Sequence, residues 1–197
     1  MNKAVFLDKD GTLVKNIPYS IIPEKIMFYP EVPEALKLLK RNGFKIVIIS
    51  NQPGVAYGYF EEEDLKKVKE TLQKMLEVYA IKIDGFYYCP HHTEGKVKTY
   101  TMNCSCRKPK PGMIIQAANE LKIDISKSWM IGDILNDIEA GNSAGCKTIL
   151  IDNGNETEWI LNALRNPTYT VKKVWDAAIK VIMENEKVRL DRGRRFL

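Results

Sequence analysis

The sequence has no apolar run long enough to cross a membrane. Its longest uninterrupted apolar stretches, such as residues 46–49, are only a few residues long, whereas a membrane-spanning helix needs about 20. The first eight residues have neither the apolar segment nor the cleavage pattern of a secretory signal peptide. These absences favour a cytoplasmic protein that has no membrane partner.

A broad excess of charge is also missing, although the formal net charge is +5. Five basic residues and one acidic residue give residues 187–197 a charge of +4, which leaves +1 for the rest of the chain. A short basic segment at a chain end is usually solvated. At 197 residues, we therefore expect a single domain at residues 1–186, a basic tail at 187–197 and no nucleic-acid partner. We also expect a monomer.

Histidine and cysteine are scarce, but they lie close together. Both histidines, His91 and His92, fall in the same stretch as Cys89, Cys104 and Cys106. In a cytoplasmic chain this clustering indicates a metal site rather than disulfides. Three cysteines and one histidine are typical of a closed structural zinc site. We take His91 as the fourth ligand, with His92 as the alternative.

The remainder of the chain alternates two kinds of apolar pattern. Helical spacing predicts helices at residues 32–42, 61–79, 113–121, 134–144, 156–164 and 174–184, and short apolar runs predict strands at 3–7, 45–49, 85–88, 129–131 and 147–151. This alternation predicts an α/β fold with a doubly wound, Rossmann-like parallel sheet between two helical layers, a three-layer αβα arrangement. Ligands of such sheets bind beyond the carboxyl ends of the strands.

Polar side chains follow three of the predicted strands at that edge. Asp8 and Asp10 follow the first strand, Ser50 the second and Asp133 the fourth. Clustered carboxylates form a hard-oxygen site that suits Mg²⁺. Asp8 is a candidate nucleophile and Asp10 a candidate acid or base. Ser50 and Lys108 are candidates to hold phosphoryl oxygens, although each of these residues taken alone also fits an ordinary turn or surface position.

Taken together, these segments resemble the four sequence motifs of the haloacid-dehalogenase-like superfamily. The motifs occur in the family's order and on the expected elements. The matching residues are Asp8-Lys9-Asp10-Gly11-Thr12, then Ser50, then Lys108, and finally Gly132-Asp133 with Asp137.

The resemblance implies a phosphatase that works through an aspartyl-phosphate. Asp8 would attack phosphorus, and Asp10 would protonate the leaving oxygen and then deprotonate the water that releases phosphate. Catalytic Mg²⁺ would be held by the side chains of Asp8 and Asp133 and the backbone carbonyl of Asp10. Ser50 and Lys108 would hold the phosphoryl oxygens.

The cysteine and histidine segments narrow the resemblance to one branch. Residues 89–92 and 104–113 are similar to those of heptose-bisphosphate and histidinol-phosphate phosphatases, and residues 51–60 are closer to the heptose enzymes. The branch implies a structural Zn²⁺ held by Cys89, His91, Cys104 and Cys106, and no large cap domain. It also implies a substrate-binding set made of Tyr19, Asn51, Gln52, Arg107 and Lys108.

Two positions depart from the heptose pattern. Tyr57 stands where those enzymes usually carry arginine, and Ile134 stands where a lysine or arginine often follows the metal-binding aspartate. The resemblance implies a D-glycero-D-manno-heptose 1,7-bisphosphate 7-phosphatase, with histidinol-phosphate phosphatase as the nearest alternative. A nucleic-acid 3′-phosphatase and a zinc-containing interaction module without catalysis are further alternatives. An interaction module would have no need for both Asp8 and Asp10.

Overall fold

The fold is centred on a six-stranded, wholly parallel sheet. The structure is a computed structural model that describes residues 1–194, with side chains for residues 1–187. The strand order is β3-β2-β1-β4-β5-β6. The strands are β1 (Lys3–Leu7), β2 (Phe44–Asn51), β3 (Gly85–Cys89), β4 (Trp129–Gly132), β5 (Lys147–Ile151) and β6 (Tyr169–Val171).

Helices cover both faces of this sheet. They are α1 (Val32–Arg41), α2 (Gly54–Tyr57), α3 (Asp64–Glu77), α4 (Gly112–Leu121), α5 (Leu135–Ala144) and α6 (Val174–Arg194). Buried residues of α1, α3 and α6 form one apolar cluster on one face, whereas those of α4 and α5 belong to a cluster on the other. The three-layer αβα fold predicted from the sequence is therefore confirmed.

The central strand shows why the strands are apolar throughout. Along β1, Val5 and Leu7 point into the core beneath α1, α3 and α6, while Ala4 and Phe6 point into the core beneath α4 and α5. All four side chains are fully buried. Because both faces are covered, neither set of alternating side chains meets water.

The order of the strands places the candidate site at the carboxyl end of β1. β1 pairs with β2 on one side and with β4 on the other, so the direction of the chain's progress across the sheet changes at β1. Such a switch point opens a crevice beyond the carboxyl ends of the strands. Every strand of the described residues belongs to this sheet, and those residues contain no separate cap sheet that would cover the crevice.

The helix predicted at residues 156–164 is wrong. These residues are irregular, and Trp159 has a positive φ of 49°, which a helix does not allow. Ile160 and Leu161 are about three-fifths exposed (61% and 59%). These side chains have helical spacing in the sequence, but they have no apolar surface to pack against. Helices in proteins depend on such packing. The short strand β6 and the single turn α2 were not predicted.

The carboxyl-terminal helix is longer than predicted. Residues 174–184 were expected to be helical, and the backbone of α6 continues to Arg194. Of the predicted tail at residues 187–197, the last three lie outside the described residues. No helix in the described part of the chain is long and apolar enough to span a membrane.

Candidate active site

Three buried acids meet at the carboxyl edge of the sheet. Asp8 follows β1, Asp133 follows β4, and Asp137 lies in the first turn of α5. Each is less than a tenth exposed. One carboxylate oxygen from each lies within 4.8 Å of the others. The structure therefore brings together Asp8 and Asp133, which the sequence predicted as partners, and adds Asp137.

Lys108 is the cation at the centre of this cluster. Its Nζ lies 2.5 Å from Oδ1 of Asp8 and 2.6 Å from Oδ1 of Asp137, and it donates a hydrogen bond to the carbonyl oxygen of Ile49 at 3.0 Å. Burial lowers the pKa of Lys108, but the charges of Asp137 and Asp8 outweigh it and hold the pKa above its usual value. Lys108 is therefore a fixed positive charge beside the candidate nucleophile.

Asn51 holds the backbone of Lys108 in place. Its side-chain amide donates to the carbonyl oxygen of Lys108 and accepts from the backbone N–H of the same residue, each at 3.0 Å. These two bonds fix the loop that carries Lys108 against the end of β2. Asn51 was predicted to bind substrate, and the structure shows it bound to this loop.

The cluster carries more negative than positive charge. Three carboxylates face one ammonium group, and buried charges are costly unless they are compensated. Burial raises the pKa of Asp8 against the opposing charge of Lys108. Burial and the neighbouring charge of Asp137 raise the pKa of Asp133 to about 6. Hard oxygen ligands with an excess of negative charge fit a divalent cation such as Mg²⁺.

Asp10 lies beside this cluster rather than within it. Its side chain is 31% exposed and contacts Nζ of Lys9. The side-chain amide of Gln52 donates to Oδ2 of Asp10 at 3.1 Å and to Oγ of the buried Ser50 at 2.8 Å. Gln52 thus links the candidate acid or base to the candidate phosphate-binding hydroxyl.

Asp133 is oriented by Thr12, which belongs to the first motif, and by Asn155, which the sequence reasoning missed. Thr12 donates to its Oδ1 at 2.8 Å, and Asn155 donates to its Oδ2 at 2.7 Å. Asn153 donates to the carbonyl oxygen of Gly11 at 2.7 Å. Asn153 and Asn155 follow β5, so the rule that polar residues collect at the carboxyl edge would have found them had it been applied to that strand.

Gly11 is expected to tolerate no side chain. A Cβ at this position would lie 2.1 Å from Oδ2 of Asp133 and 2.5 Å from Nδ2 of Asn155, at a φ of +90°. We predict that Gly11→Ala lowers the free energy of unfolding by about 1–3 kcal/mol beyond the cost of backbone strain, as overpacking does. Urea unfolding in the presence of a chelator measures this difference.

Gly154→Ala is the matched control for this prediction. Gly154 has a φ of +94°, and a Cβ there would meet nothing within 4 Å. The two variants therefore share the strain of a positive φ and differ in the clash with Asp133 and Asn155. Equal losses of stability in the two variants would contradict the close packing at Gly11.

A second cluster consists of Cys89, His91, Cys104 and Cys106, whose ligand atoms also lie within 4.8 Å of one another. The three sulfur–sulfur distances are 3.1, 3.2 and 3.5 Å, and Nδ1 of His91 lies 3.4 Å from Sγ of Cys106. These sulfur–sulfur distances are somewhat shorter than the roughly 3.8 Å expected around a tetrahedral zinc with Zn–S bonds of about 2.3 Å. The described cysteines are all free thiols, and these four side chains fit a metal ion.

The thiols share one proton-donating contact. The hydrogen bond between Cys89 and Cys106 lowers the pKa of Cys106 to about 5 and raises the pKa of Cys89 above its usual value, whereas metal ligation requires thiolates. His92 lies outside the cluster, because its ring contacts the hydroxyl of Tyr57 at 3.1 Å. The geometry therefore selects His91 from the two histidines that the sequence left open.

Arg107 and Tyr19 are the remaining predicted substrate residues. Arg107 precedes Lys108 and donates to the carbonyl oxygen of His91 at 3.3 Å. Tyr19 is half exposed (50%), and its ring packs edge-on against the rings of Tyr57 and Tyr59, with centroids 6.0 and 4.9 Å away. Tyr19 thus belongs to a partly exposed group of aromatic rings, and Arg107 contacts the segment that carries the clustered cysteines and histidine.

Comparisons with known proteins agree with this geometry. Residues 105–177 match the family described as HAD-hydrolase-like. The chain is 45% identical over 157 residues to a D-glycero-beta-D-manno-heptose-1,7-bisphosphate 7-phosphatase of Haemophilus influenzae, covering 78% of this chain and 84% of that protein. A protein of the same name from Escherichia coli K12 is 36% identical over 181 residues, covering 86% and 94%.

A solved structure shares the fold. It is a D,D-heptose 1,7-bisphosphate phosphatase from B. bronchiseptica complexed with magnesium and phosphate, and it superposes with a TM-score of 0.75 at 24% identity. The superposition covers 92% of this chain and 99% of that chain. The acids and the lysine described above therefore lie in a fold on which an enzyme has been solved with a metal and phosphate.

Proposed function

The chain belongs to the haloacid-dehalogenase-like phosphatases, and on that premise we propose that it hydrolyses the 7-phosphate of D-glycero-D-manno-heptose 1,7-bisphosphate. The observation that carries the reaction is the contact between Lys108 Nζ and Asp8 Oδ1 at 2.5 Å in a buried cluster of acids. The substrate comes from the names of the relatives, which are similar to this chain over most of its length.

The first half of the proposed reaction transfers the phosphoryl group to Asp8. A carboxylate oxygen of Asp8 forms a bond to phosphorus while the bond from phosphorus to the sugar oxygen breaks. Asp10 gives its proton to that oxygen, so the sugar leaves as an alcohol. Lys108 and Ser50 bind the phosphoryl oxygens, where negative charge is spread in the transition state.

The second half releases phosphate and restores the protein. Asp10, now a carboxylate, takes a proton from a water molecule, whose oxygen forms a bond to phosphorus. The bond between phosphorus and the Asp8 oxygen breaks, and Asp8 returns to its carboxylate form. The position of Asp10 outside the buried cluster supports this dual role, because its side chain is partly exposed and can meet water.

We propose that Asp8 and Asp133, with the backbone carbonyl of Asp10, hold Mg²⁺. When bound, the ion offsets the repulsion between the carboxylates and the phosphate dianion. Asp137 has a different role in this proposal: its contact with Lys108 and its hydrogen bond from the backbone N–H of Ile134 at 3.3 Å make it a support for the lysine.

We further propose that Cys89, His91, Cys104 and Cys106 hold a structural Zn²⁺. The segment that leads out of this cluster continues directly into Arg107 and Lys108, so a metal there would fix the position of both cations. We expect the enzyme to act in the cytoplasm as a monomer on a small phosphorylated molecule. Asn51, Gln52, Arg107 and Tyr19 are the proposed contacts to that substrate.

The test of the proposed function is phosphate release from a panel of esters at saturating Mg²⁺. The panel contains both anomers of heptose 1,7-bisphosphate, histidinol phosphate, fructose 1,6-bisphosphate and a 3′-phosphorylated oligonucleotide. We expect the highest kcat/KM for a heptose bisphosphate, with the 7-phosphate lost and the 1-phosphate retained by ³¹P NMR. A higher kcat/KM for histidinol phosphate or for the oligonucleotide would overturn the substrate assignment.

A further inference from the structure

We propose that Tyr19, Tyr57 and Tyr59 form a stacking surface for the sugar ring of the leaving group. The inference rests on the proposed function, since it assigns the part of the site that receives the alcohol. We call these three rings the aromatic wall. They contact one another with centroids 6.0, 4.9 and 5.6 Å apart.

The aromatic wall stands next to both halves of the catalytic cluster along the chain. Tyr57 ends the single turn α2, which begins just after Gln52, the residue whose amide contacts Asp10 at 3.1 Å. The ring of Tyr57 also contacts the ring of His92, with centroids 4.9 Å apart, and the carbonyl oxygen of the adjacent His91 accepts a hydrogen bond from Arg107, the neighbour of Lys108, at 3.3 Å. The end of α2 therefore lies beside the loop that carries Arg107 and Lys108.

Two of the three side chains of the aromatic wall are about half exposed. Tyr19 is 50% exposed and Tyr59 is 57% exposed. Clustered exposed aromatic side chains are characteristic of binding surfaces. Tyr19 also has a positive φ of 55°, which is an uncommon backbone conformation for a tyrosine.

The loop between Cys89 and Cys106 holds the wall in place. The hydroxyl of Tyr57 contacts the ring of His92 at 3.1 Å. The backbone N–H groups of Lys96 and Val97 both donate to the carbonyl oxygen of Ala56, at 2.7 and 2.9 Å. The loop that carries the proposed zinc ligands therefore fixes α2, so that Tyr57 presents a rigid ring to the crevice.

The aromatic side chains of the wall suit a sugar ring better than a phosphate group. Aromatic faces bind the apolar C–H face of a pyranose well and cannot neutralise a phosphate. The wall thus recognises the ring of the sugar, while Arg107 is left as the cation at its base. A substrate that has no ring, such as acetyl phosphate, would reach Asp8 without touching the wall.

The test compares heptose 1,7-bisphosphate with acetyl phosphate in four variants. We expect Tyr57→Leu and Tyr19→Ala to raise KM for the heptose about three- to tenfold, since an aromatic contact contributes about 0.5–1.5 kcal/mol, with little change in kcat. Tyr57→Phe keeps the ring but loses the contact between the hydroxyl and His92, so it should raise KM for the heptose less than Tyr57→Leu does. Tyr79→Ala removes a tyrosine of similar exposure (42%) beyond α3 and should change nothing.

The acetyl phosphate reaction separates the possible failures. In Tyr57→Leu and Tyr19→Ala we expect kcat/KM for acetyl phosphate to fall by a smaller factor than kcat/KM for the heptose bisphosphate. An unchanged KM for the heptose in Tyr57→Leu and Tyr19→Ala would overturn the stacking surface and leave the proposed function intact. Turnover of acetyl phosphate without turnover of any heptose phosphate by the unaltered enzyme would overturn the proposed substrate itself.

Discussion

Asp8→Asn is expected to abolish phosphate release, with a loss of about 10⁴-fold or more, because removing a nucleophile eliminates the covalent step. Asparagine has nearly the same shape as aspartate, and the buried position between β1 and Lys108 can accept it. The measurement is the rate of phosphate release at saturating Mg²⁺, together with the thermal midpoint and the metal content of the same preparation.

Asp152→Asn is the matched control. Asp152 follows β5 at the same edge of the sheet, but its carboxylate pairs with the exposed Lys172 at 2.5 Å and lies outside the cluster of buried acids. We expect the activity of this variant to be nearly unchanged. If Asp8→Asn lost its fold or its zinc, or kept appreciable activity, then Asp8 would have another role than the one proposed.

Loss of the proposed zinc is expected to have the second-largest effect. Cys106→Ser removes one of the four clustered ligands, and structural zinc sites contribute several kcal/mol to folding. Since 1 kcal/mol shifts Tm by about 2–4 °C in a domain of this size, Tm should fall by roughly 10 °C or more. Activity should fall as well, because Cys106 immediately precedes Arg107 and Lys108.

Cys146→Ala is the control for the zinc prediction. Cys146 is buried in the apolar core on the side of α4 and α5, away from the four clustered ligands. Its replacement should leave the zinc content, measured by plasma emission spectrometry, at one ion per chain, and should lower Tm only slightly. A Cys106→Ser protein with unaltered Tm and activity would show that the cluster does not support the catalytic loop.

The residues at the centre of the site could be predicted from the sequence because all strands of a parallel sheet point in the same direction. Parallel strands end at one edge, so the polar residues that follow β1, β2 and β4 had to meet there. Asp8 and Asp133 do meet, and Lys108 joins them from a distant loop. The position of Lys108 came from the resemblance to the family, since no periodicity places a loop residue.

Other features depend on contacts that a local pattern does not contain. The helix predicted at residues 156–164 failed because its apolar residues face no core. Asn155 reaches Asp133 only because this irregular segment returns to the edge of the sheet. The contact between Tyr19 and the end of α2 depends on a positive φ at Tyr19, for which the sequence carries no signal such as glycine.

Trapping of the covalent intermediate tests the central claim most directly. The enzyme is mixed with Mg²⁺ and heptose 1,7-bisphosphate, treated during turnover with borohydride, which reduces an acyl phosphate to an alcohol, and digested for mass spectrometry. The account predicts homoserine at position 8, only when substrate is present and at no other carboxylate. Phosphate release with Asp8 left unmodified, or a reduced residue at Asp10 or Asp133, would contradict it.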